Sequence, residues 1–419
     1  MQRIDLLVVG GGAAGLMAAG TAARQGLAVW LVDKNAQLGR KLRITGKGRC
    51  NLTNNCTVQA FLEHVPTNPR FLYSALNRFS PADCMAFFEQ LGVPLKTERG
   101  RRVFPVSDKA GDVADALAKF ALDAGVTVLR GSVARLSVRA GHMDGCVLSD
   151  GRRIEAARVL LACGGASYPA TGSNGAGFRL AAQAGHTVVP LRPSLVPLAC
   201  GGADSADCAA MAGLTLRNVG FSVHDSRRGR TVYEDFGELA FVQDGLGGPV
   251  PLSASTHLRE MEPGRYRADI DLKPALPPDK LDARLLRDWH ARPQRAFADS
   301  LGALLPRNLI PVAVRRSGIP PETPSSDVTR PQRRRLVELL KRFSFTVAGF
   351  HPIEEAIVTA GGVSVREVDP RTMESKKVPG LYLAGEILDV DGYTGGYNLH
   401  IAFATGRLAG ESAASCAAC

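Results

Sequence analysis

Three glycines and one aspartate near the N-terminus carry the first chemical signal in this chain. Gly10, Gly12 and Gly15 have the GxGxxG spacing, and Asp33 lies 18 residues beyond the last of them. That spacing gives each glycine its own task. Gly10 makes a tight turn, Gly12 lets the backbone approach a pyrophosphate, and Gly15 lets a helix pack on a strand. Phosphate oxygens would sit on the free N–H groups where the helix starts. A carboxylate at Asp33 would accept hydrogen bonds from ribose hydroxyls and repel a 2′-phosphate. The chemistry expected is dinucleotide binding. A glycine-rich turn in an unrelated α/β protein would leave Asp33 unexplained.

The elements that must hold these residues are legible around them. Ile4–Val9 is a continuous apolar run with β-branched members, the pattern of a strand buried on both faces. A helix follows the glycines and ends near Gly26. Leu27–Asp33 is a second buried strand closed by the acid. The stretch from Leu38 to Asn55 is loop-like and holds five cations, Arg40, Lys41, Arg43, Lys47 and Arg49. Further on, VTVLRG, SVARLSV, GCVLSDG and RRIEAARVLLAC read as short strands spaced by turns such as Asp150-Gly151. They form a meander within a nucleotide-binding domain, ending at Gly164-Gly165. Near the C-terminus come a strand (Leu381–Ala384), the Gly385-Glu386 pair, the Gly395-Gly396 turn and a helix. A simple dehydrogenase would continue instead with further βα units and a catalytic domain. Distant segments thus converge on one cofactor, and the last helix is expected to aim its N-terminus at the electron-rich end of a reduced isoalloxazine.

GRKLRITGKGRCNLTN, the Gly237–Ser253 segment and TAGGVSVREVDPRTMESKKVPGLYLAGEILDVDGYTGGYN, taken with the N-terminal fingerprint, resemble the HI0933-like (BaiN/RdsA) flavoprotein family over essentially the whole chain. The resemblance implies an α/β fold with a Rossmann-like FAD-binding domain of the glutathione reductase and fumarate reductase type. It also implies noncovalent FAD. Carried over, Gly10, Gly12, Ala13, Ala14 and Gly15 would hold the pyrophosphate, and Asp33 and Lys34 would lie at the adenosine ribose. Arg40, Lys41, Cys50 and Asn51 would line the stretch from phosphate to flavin. Val133, Gly164, Gly165 and Gly385 complete the expected lining. Glu386 would take a ribitol hydroxyl, and Gly395, Gly396, Tyr397 and Asn398 would face the flavin pyrimidine edge. There are departures. Ala176 stands where the family commonly carries Asp, FVQDGLGGP replaces THxGxSGP, and His400 replaces a frequent Gln, so a divergent subgroup is expected.

The domain boundaries expected are 1–190 for the first part of the FAD domain, 191–345 for an inserted cap of mixed β and α structure, and 346–419 for the return of the FAD domain. Prolines cluster at 190–197, 274–278 and 320–324. TLRNVGFSVHD, RTVYEDFGELAFVQ and RYRADIDL alternate like strands of a small antiparallel unit, and helices follow with a break at Pro293. A cap over the flavin is the economical arrangement, since substrates commonly bind between domains. The helix from Arg330 carries Arg333, Arg334, Arg335, Lys341 and Arg342. It reads either as a solvated charged face or as an RNA contact.

Composition bounds the function. A hydrophobic share of 45% with 22% charged residues excludes wholesale disorder over the 419 residues. The net charge of +11 invites polyanions. The alternative is an arginine-rich solvated surface, since 40 of the 51 cations are Arg. Nine scattered cysteines form no metal-like pattern, so no metal site is expected. Cys416 and Cys419, a CxxC at the extreme end, could be a redox pair or a frayed terminus. No targeting peptide or membrane span is visible, and the expected location is the cytoplasm.

The leading expectation is an FAD-dependent reductase of a polarised C=C bond. The family implies two kinds of substrate, steroid-like enones and the uracil C5–C6 bond of ribosomal RNA. With no second GxGxxG, NAD(P)H is expected to dock directly against the flavin unless another donor reduces it. Candidate proton donors are Cys50, whose neighbouring cations would lower a thiol pKa, Tyr168, Tyr393 and His400. Each of these also has a plain packing role available. The rivals are a small-molecule dehydrogenase or oxidase, and an RNA-associated protein that keeps FAD for structure. The oligomeric state cannot be read from the sequence.

Overall fold

The structure is a computed structural model that describes residues 4–415, so the Cys416–Cys419 pair lies outside the described residues. It divides into two compact units, Met1–Ser194 with Pro352–Cys419, and Leu195–His351.

The first unit is built on a five-stranded parallel sheet. Its strands run, edge to edge, Leu381–Leu383, Ala156–Leu161, Ile4–Val9, Val29–Asp33 and Thr127–Arg130. The apolar runs bury both faces, and Leu6, Leu7, Val8, Leu31 and Leu160 are fully inaccessible. Registers of Val9 with Val32 and Leu161, and of Leu161 with Leu383, bring the strand ends level. Because the strands are parallel, the turns at Gly10, Asp33, Gly164 and Gly385 all leave from one edge of the sheet. That edge is where open α/β sheets bind ligands.

Two helices made of small residues cross close together beside the sheet. The helix Ala13–Arg24 meets the C-terminal helix Tyr397–Ser415 where Gly406 and Gly410 face Ala14 and Ala18. A Cβ on Gly406 would lie 2.3 Å from the Ala14 carbonyl oxygen, so no larger residue fits. The expected meander is shorter than its four stretches: only Val133–Arg139, His142–Leu148 and Arg153–Ile154 form it, while Thr127–Arg130 and Ala156–Leu161 pair in parallel within the main sheet instead.

In the second unit the alternating stretches do more than pair. Thr215–Asp225, Arg230–Val242 and Tyr266–Asp271 join Leu198–Cys200, Gly245–Gly247 and Phe343–Phe350 in a closed six-stranded barrel. Closure leaves no free sheet edge. The helix Arg330–Lys341 is capped by Thr329 and Gln332 and buries Leu336, Val337 and Leu340. Arg333 pairs with Asp282 (2.7 Å) and Lys341 with Asp271 (2.5 Å), while Arg330, Arg334 and Arg335 are exposed. Among the described residues no helix is long and apolar enough to cross a membrane.

Candidate functional site

The turn after the first strand shows why two of the three glycines, Gly10 and Gly15, are sterically required. Gly10 has φ +109°, and a Cβ there would lie 2.4 Å from the Ala162 carbonyl oxygen. At Gly15 a Cβ would lie 1.8 Å from the Gly10 carbonyl oxygen, so the helix seats on the turn only through a glycine. Gly12 is different: a Cβ there would meet nothing within 4 Å. Open space therefore lies over the helix start, where Ala13 and Ala14 present N–H groups of the first turn. Asp33 has a task beyond the expected one. Its carboxylate accepts the Gly11 and Asn35 N–H groups, each at 2.6 Å, and so fixes the turn itself. Val133 begins the meander two residues after Gly131, whose N–H donates to the Asp33 carbonyl (2.9 Å).

A polar cluster lies among the next three loops of this edge. Lys41 Nζ donates to both Glu386 oxygens (2.8 and 3.0 Å) and to Ser167 Oγ (2.7 Å). Thr359 N–H donates to Glu386 Oε1 (2.9 Å), and the Thr359 hydroxyl accepts the N–H groups of Ala166 and Ser167. A Cβ on Gly165 would strike that hydroxyl at 2.4 Å. Ser173 Oγ is buried without a hydrogen-bond partner, 3.0 Å from where a Cβ on Gly164 would stand. An orphaned buried hydroxyl is costly and marks a place where a polar ligand group fits. Lys34 reaches Asn174 (2.9 Å), and its ammonium is held below the usual lysine range by burial. Gly385, with φ +79°, donates its N–H to Thr405 Oγ1 (3.0 Å).

The cationic loop is less free than its composition implies. Arg43 is tied to Asp115 (2.5 Å), and Arg49 to Glu98 (2.5 Å) and Asp108 (2.6 Å). Together with the Lys41–Glu386 pair, three of the five cations face protein carboxylates, leaving Arg40 and Lys47 exposed.

The loop carrying Asn51 grips the glycine turn before the last helix. The Asn51 amide, oriented to satisfy its neighbours, donates to the Val103 and Thr53 carbonyls and accepts the Gly396 N–H, each at 3.1 Å. Gly396 has φ +97°, and a Cβ there would lie 2.4 Å from the Thr53 carbonyl oxygen. Asn54 donates to the Gly395 carbonyl (3.2 Å). Asn398 bridges Gly392 in both directions, at 2.7 and 2.9 Å. Tyr397 opens the helix, buried and stacked on His64 with ring centroids 4.8 Å apart.

Two of the proton-donor expectations are corrected here. Cys50 is fully buried, and burial pushes its thiol up to about 12. Arg49, expected to lower that value, turns to Glu98 and Asp108 instead. His400 is also fully buried, with Nε2 donating to the Phe79 carbonyl (2.9 Å) and Nδ1 accepting from Thr53 Oγ1 (3.1 Å). Burial brings its imidazole down to about 4, so it stays neutral and structural. The unfolded chain therefore binds the proton more readily than the native state, and stability must fall as pH drops from about 6.5 towards 4. Unfolding midpoints at pH 7 and pH 5 check this: His400→Gln should remove part of the acid sensitivity. Tyr168 remains exposed at φ +52°, and Tyr393 is half-buried. The sequence reading missed Ser167, Ser173, Thr359 and His64. Ser167, next to Gly164-Gly165-Ala166, and Thr359, the first residue of the quoted C-terminal motif, had a positional signal.

With this geometry in hand, comparison with known proteins is informative. The model of the HI0933-like protein Rossmann domain matches residues 4–412. The chain is 33% identical to a 3-dehydro-bile acid Δ4,6-reductase of Clostridium scindens, over 99% of both chains. It is 31% identical to a ribosomal RNA dihydrouridine synthase of Escherichia coli, over 97% of this chain and 96% of that one. Among solved structures, a 3-ketosteroid Δ4-(5α)-dehydrogenase of Rhodococcus jostii superposes with a TM-score of 0.51 at 15% identity, covering 98% of this chain and 97% of that one. The FrdA subunit of Escherichia coli quinol fumarate reductase gives 0.52 at 18%, covering 100% and 71%. At such identities the structural likeness speaks for the fold.

Proposed function

This chain belongs to the HI0933-like family and is an FAD-dependent oxidoreductase, and from that premise we propose that it reduces a C=C bond conjugated to a carbonyl, with NAD(P)H as donor. One observation carries the reading. Two relatives matched from end to end are named for saturating such a bond, one in a bile acid and one in uridine.

The residues fit FAD. The open space over Gly12, the helix N–H groups at Ala13 and Ala14, and the orphaned Ser173 hydroxyl supply a place for a diphosphate and polyol. Gly10 and Gly15 shape that turn, Asp33 with Lys34 lies at the adenosine end, and Glu386, held by Lys41, offers an acceptor to the ribitol. Gly164, Gly165 and Gly385 keep side chains out of the path. The turn Gly395–Asn398 would face the pyrimidine edge of the flavin. Bound and reduced, flavin supplies hydride for the β-carbon, which leaves the chain to supply a proton at the α-carbon.

For the substrate we favour uracil in RNA. The net charge of +11 supports this, as do the three exposed arginines of the helix Arg330–Lys341. Arg333 is spent on Asp282, so the RNA contact falls to Arg330, Arg334 and Arg335. The bile-acid relative favours a second reading, a small-molecule enone. The seven described cysteines are free thiols, which fits a reducing compartment such as the cytoplasm.

The test has two stages. Anaerobic mixing of the purified holoprotein with NADH or NADPH should bleach the flavin; no bleaching with either removes the NAD(P)H assignment. Deleting the gene should remove a dihydrouridine from ribosomal RNA, and an unchanged modification map sinks the RNA reading. Changing Arg330, Arg334 and Arg335 to Glu should flatten the salt dependence of RNA binding by a log–log slope of about 2.

A further inference from the structure

We propose that His64 delivers the α-carbon proton, an inference that rests on the reductase reading above. Nothing in the sequence marks this residue; its placement does. His64 follows the short helix Val58–Leu62, and its Nδ1 lies 2.8 Å from the Ala60 carbonyl oxygen. A carbonyl can only accept, so Nδ1 carries hydrogen and the tautomer is fixed. Nε2 is left with a lone pair when the ring is neutral and an N–H when it is charged. No protein group among the described residues engages Nε2, and the ring is half-buried.

The ring is also held against the turn assigned to the flavin. It stacks on Tyr397 with planes 7° apart and meets Tyr393 edge-on at 5.8 Å. The His64 carbonyl accepts the Tyr393 N–H (2.9 Å). Four residues on, Asn68 donates to the carbonyl and the carboxylate of Asp389, at 2.7 and 3.1 Å. The segment is thus pinned to both ends of the 389–397 turn. An imidazole whose orientation is fixed through one nitrogen, with the other free, is the arrangement a proton-transfer group needs.

The other titratable candidates are worse placed. Cys50 and His400 are sealed in the interior, and burial raises the Tyr397 phenol. Tyr168 and Tyr393 carry phenols, which as a class release protons far less readily at neutral pH than an imidazolium. The balance is complete. The C=C π bond is lost, and one C–H bond forms at the β-carbon from the hydride that flavin supplies, leaving it oxidised. A second C–H bond forms at the α-carbon with the Nε2 proton, and the imidazole regains its proton from water.

The experiment uses holoenzyme reduced anaerobically with dithionite and mixed, in H2O and in D2O, with either of two acceptors. These are an in-vitro transcript of ribosomal RNA and 4-androstene-3,17-dione. In His64→Ala, bound FAD and its reduction by NADH or NADPH should match the wild type. Reoxidation by the acceptor that serves the wild type should slow about a hundredfold. Free imidazole should restore part of that rate, and His64→Gln should be slow without rescue. In D2O the wild type should place deuterium on one face of the α-carbon, and His64→Ala on both. Unchanged reoxidation in both variants, or a slow His64→Ala with no imidazole rescue and unchanged deuterium stereochemistry, overturns the assignment of His64 alone. A wild-type protein that neither acceptor reoxidises overturns the reductase reading, and His64 with it.

Discussion

Gly12→Ala should leave the apoprotein folded and cost it about a hundredfold in FAD affinity, while Gly15→Ala should damage the fold itself. The two glycines share one turn but differ in what surrounds them. At Gly12 the backbone is extended, at φ −87°, and the added methyl enters open space, so alanine is sterically free. The apoprotein should lose no more than about 1 kcal/mol, from a poorer helix cap. In the FAD placement proposed above, that open space is where the diphosphate comes closest to the backbone. Losing one or two charge-assisted hydrogen bonds there is worth about 3 kcal/mol, or two orders of magnitude in binding. At Gly15 the methyl would sit 1.8 Å from a backbone oxygen, with the Val8 side chain 3.3 Å away. Neither the turn nor the sheet can yield cheaply, and about 3 kcal/mol or more of stability should go. Urea unfolding of both apoproteins, followed by FAD titration of whichever folds, separates the outcomes. A Gly12→Ala protein that binds FAD like the wild type would remove the diphosphate from this turn.

The second large effect is expected at Glu386. Its carboxylate gathers Lys41, the Ser167 hydroxyl and the Thr359 N–H while its side chain is only 19% exposed. Glu386→Leu leaves the half-buried Lys41 ammonium without a counter-charge, with Ser167 as its remaining acceptor, and the Thr359 N–H unpaired, and should lower apoprotein stability by about 2–4 kcal/mol. Glu386→Gln keeps an acceptor and should cost less. Combining Lys41→Met with Glu386→Gln removes the ion pair from both sides and should recover most of the stability. FAD binding should not recover if, as proposed, the Glu386 carboxylate is the ribitol's partner. Thermal unfolding of the apoproteins and flavin release from the holoproteins are the measurements. Full recovery of FAD binding in the double variant would make the pair purely structural.

The fold class was readable because its determinants are local. Ile4–Val9, the three glycines and Leu27–Asp33 form one continuous strand–turn–helix–strand unit, and each residue type follows from backbone geometry within a few positions. The meander strands and the capped helix Arg330–Lys341 were legible for the same reason. Closure of the second unit into a barrel was not, because it depends on Leu198–Cys200 meeting Phe343–Phe350, nearly 150 residues apart.

The candidate site divides along the same line. Sequence by itself determined the glycine fingerprint, the acid at Asp33, the Gly385-Glu386 pair and the Gly395-Gly396 turn, since each is a requirement on its own backbone. It also determined the excess of positive charge. Only the tertiary structure decided where those charges are spent, pairing Lys41 with Glu386, Arg49 with Glu98 and Asp108, and Arg333 with Asp282. It sealed Cys50 and His400 in the interior, where desolvation outweighs any neighbouring charge. It also brought His64 to the turn at Tyr393 and Tyr397 from more than 300 residues away in sequence. A side chain's proton affinity and availability depend on burial and on partners distant in sequence, and only the folded chain fixes those.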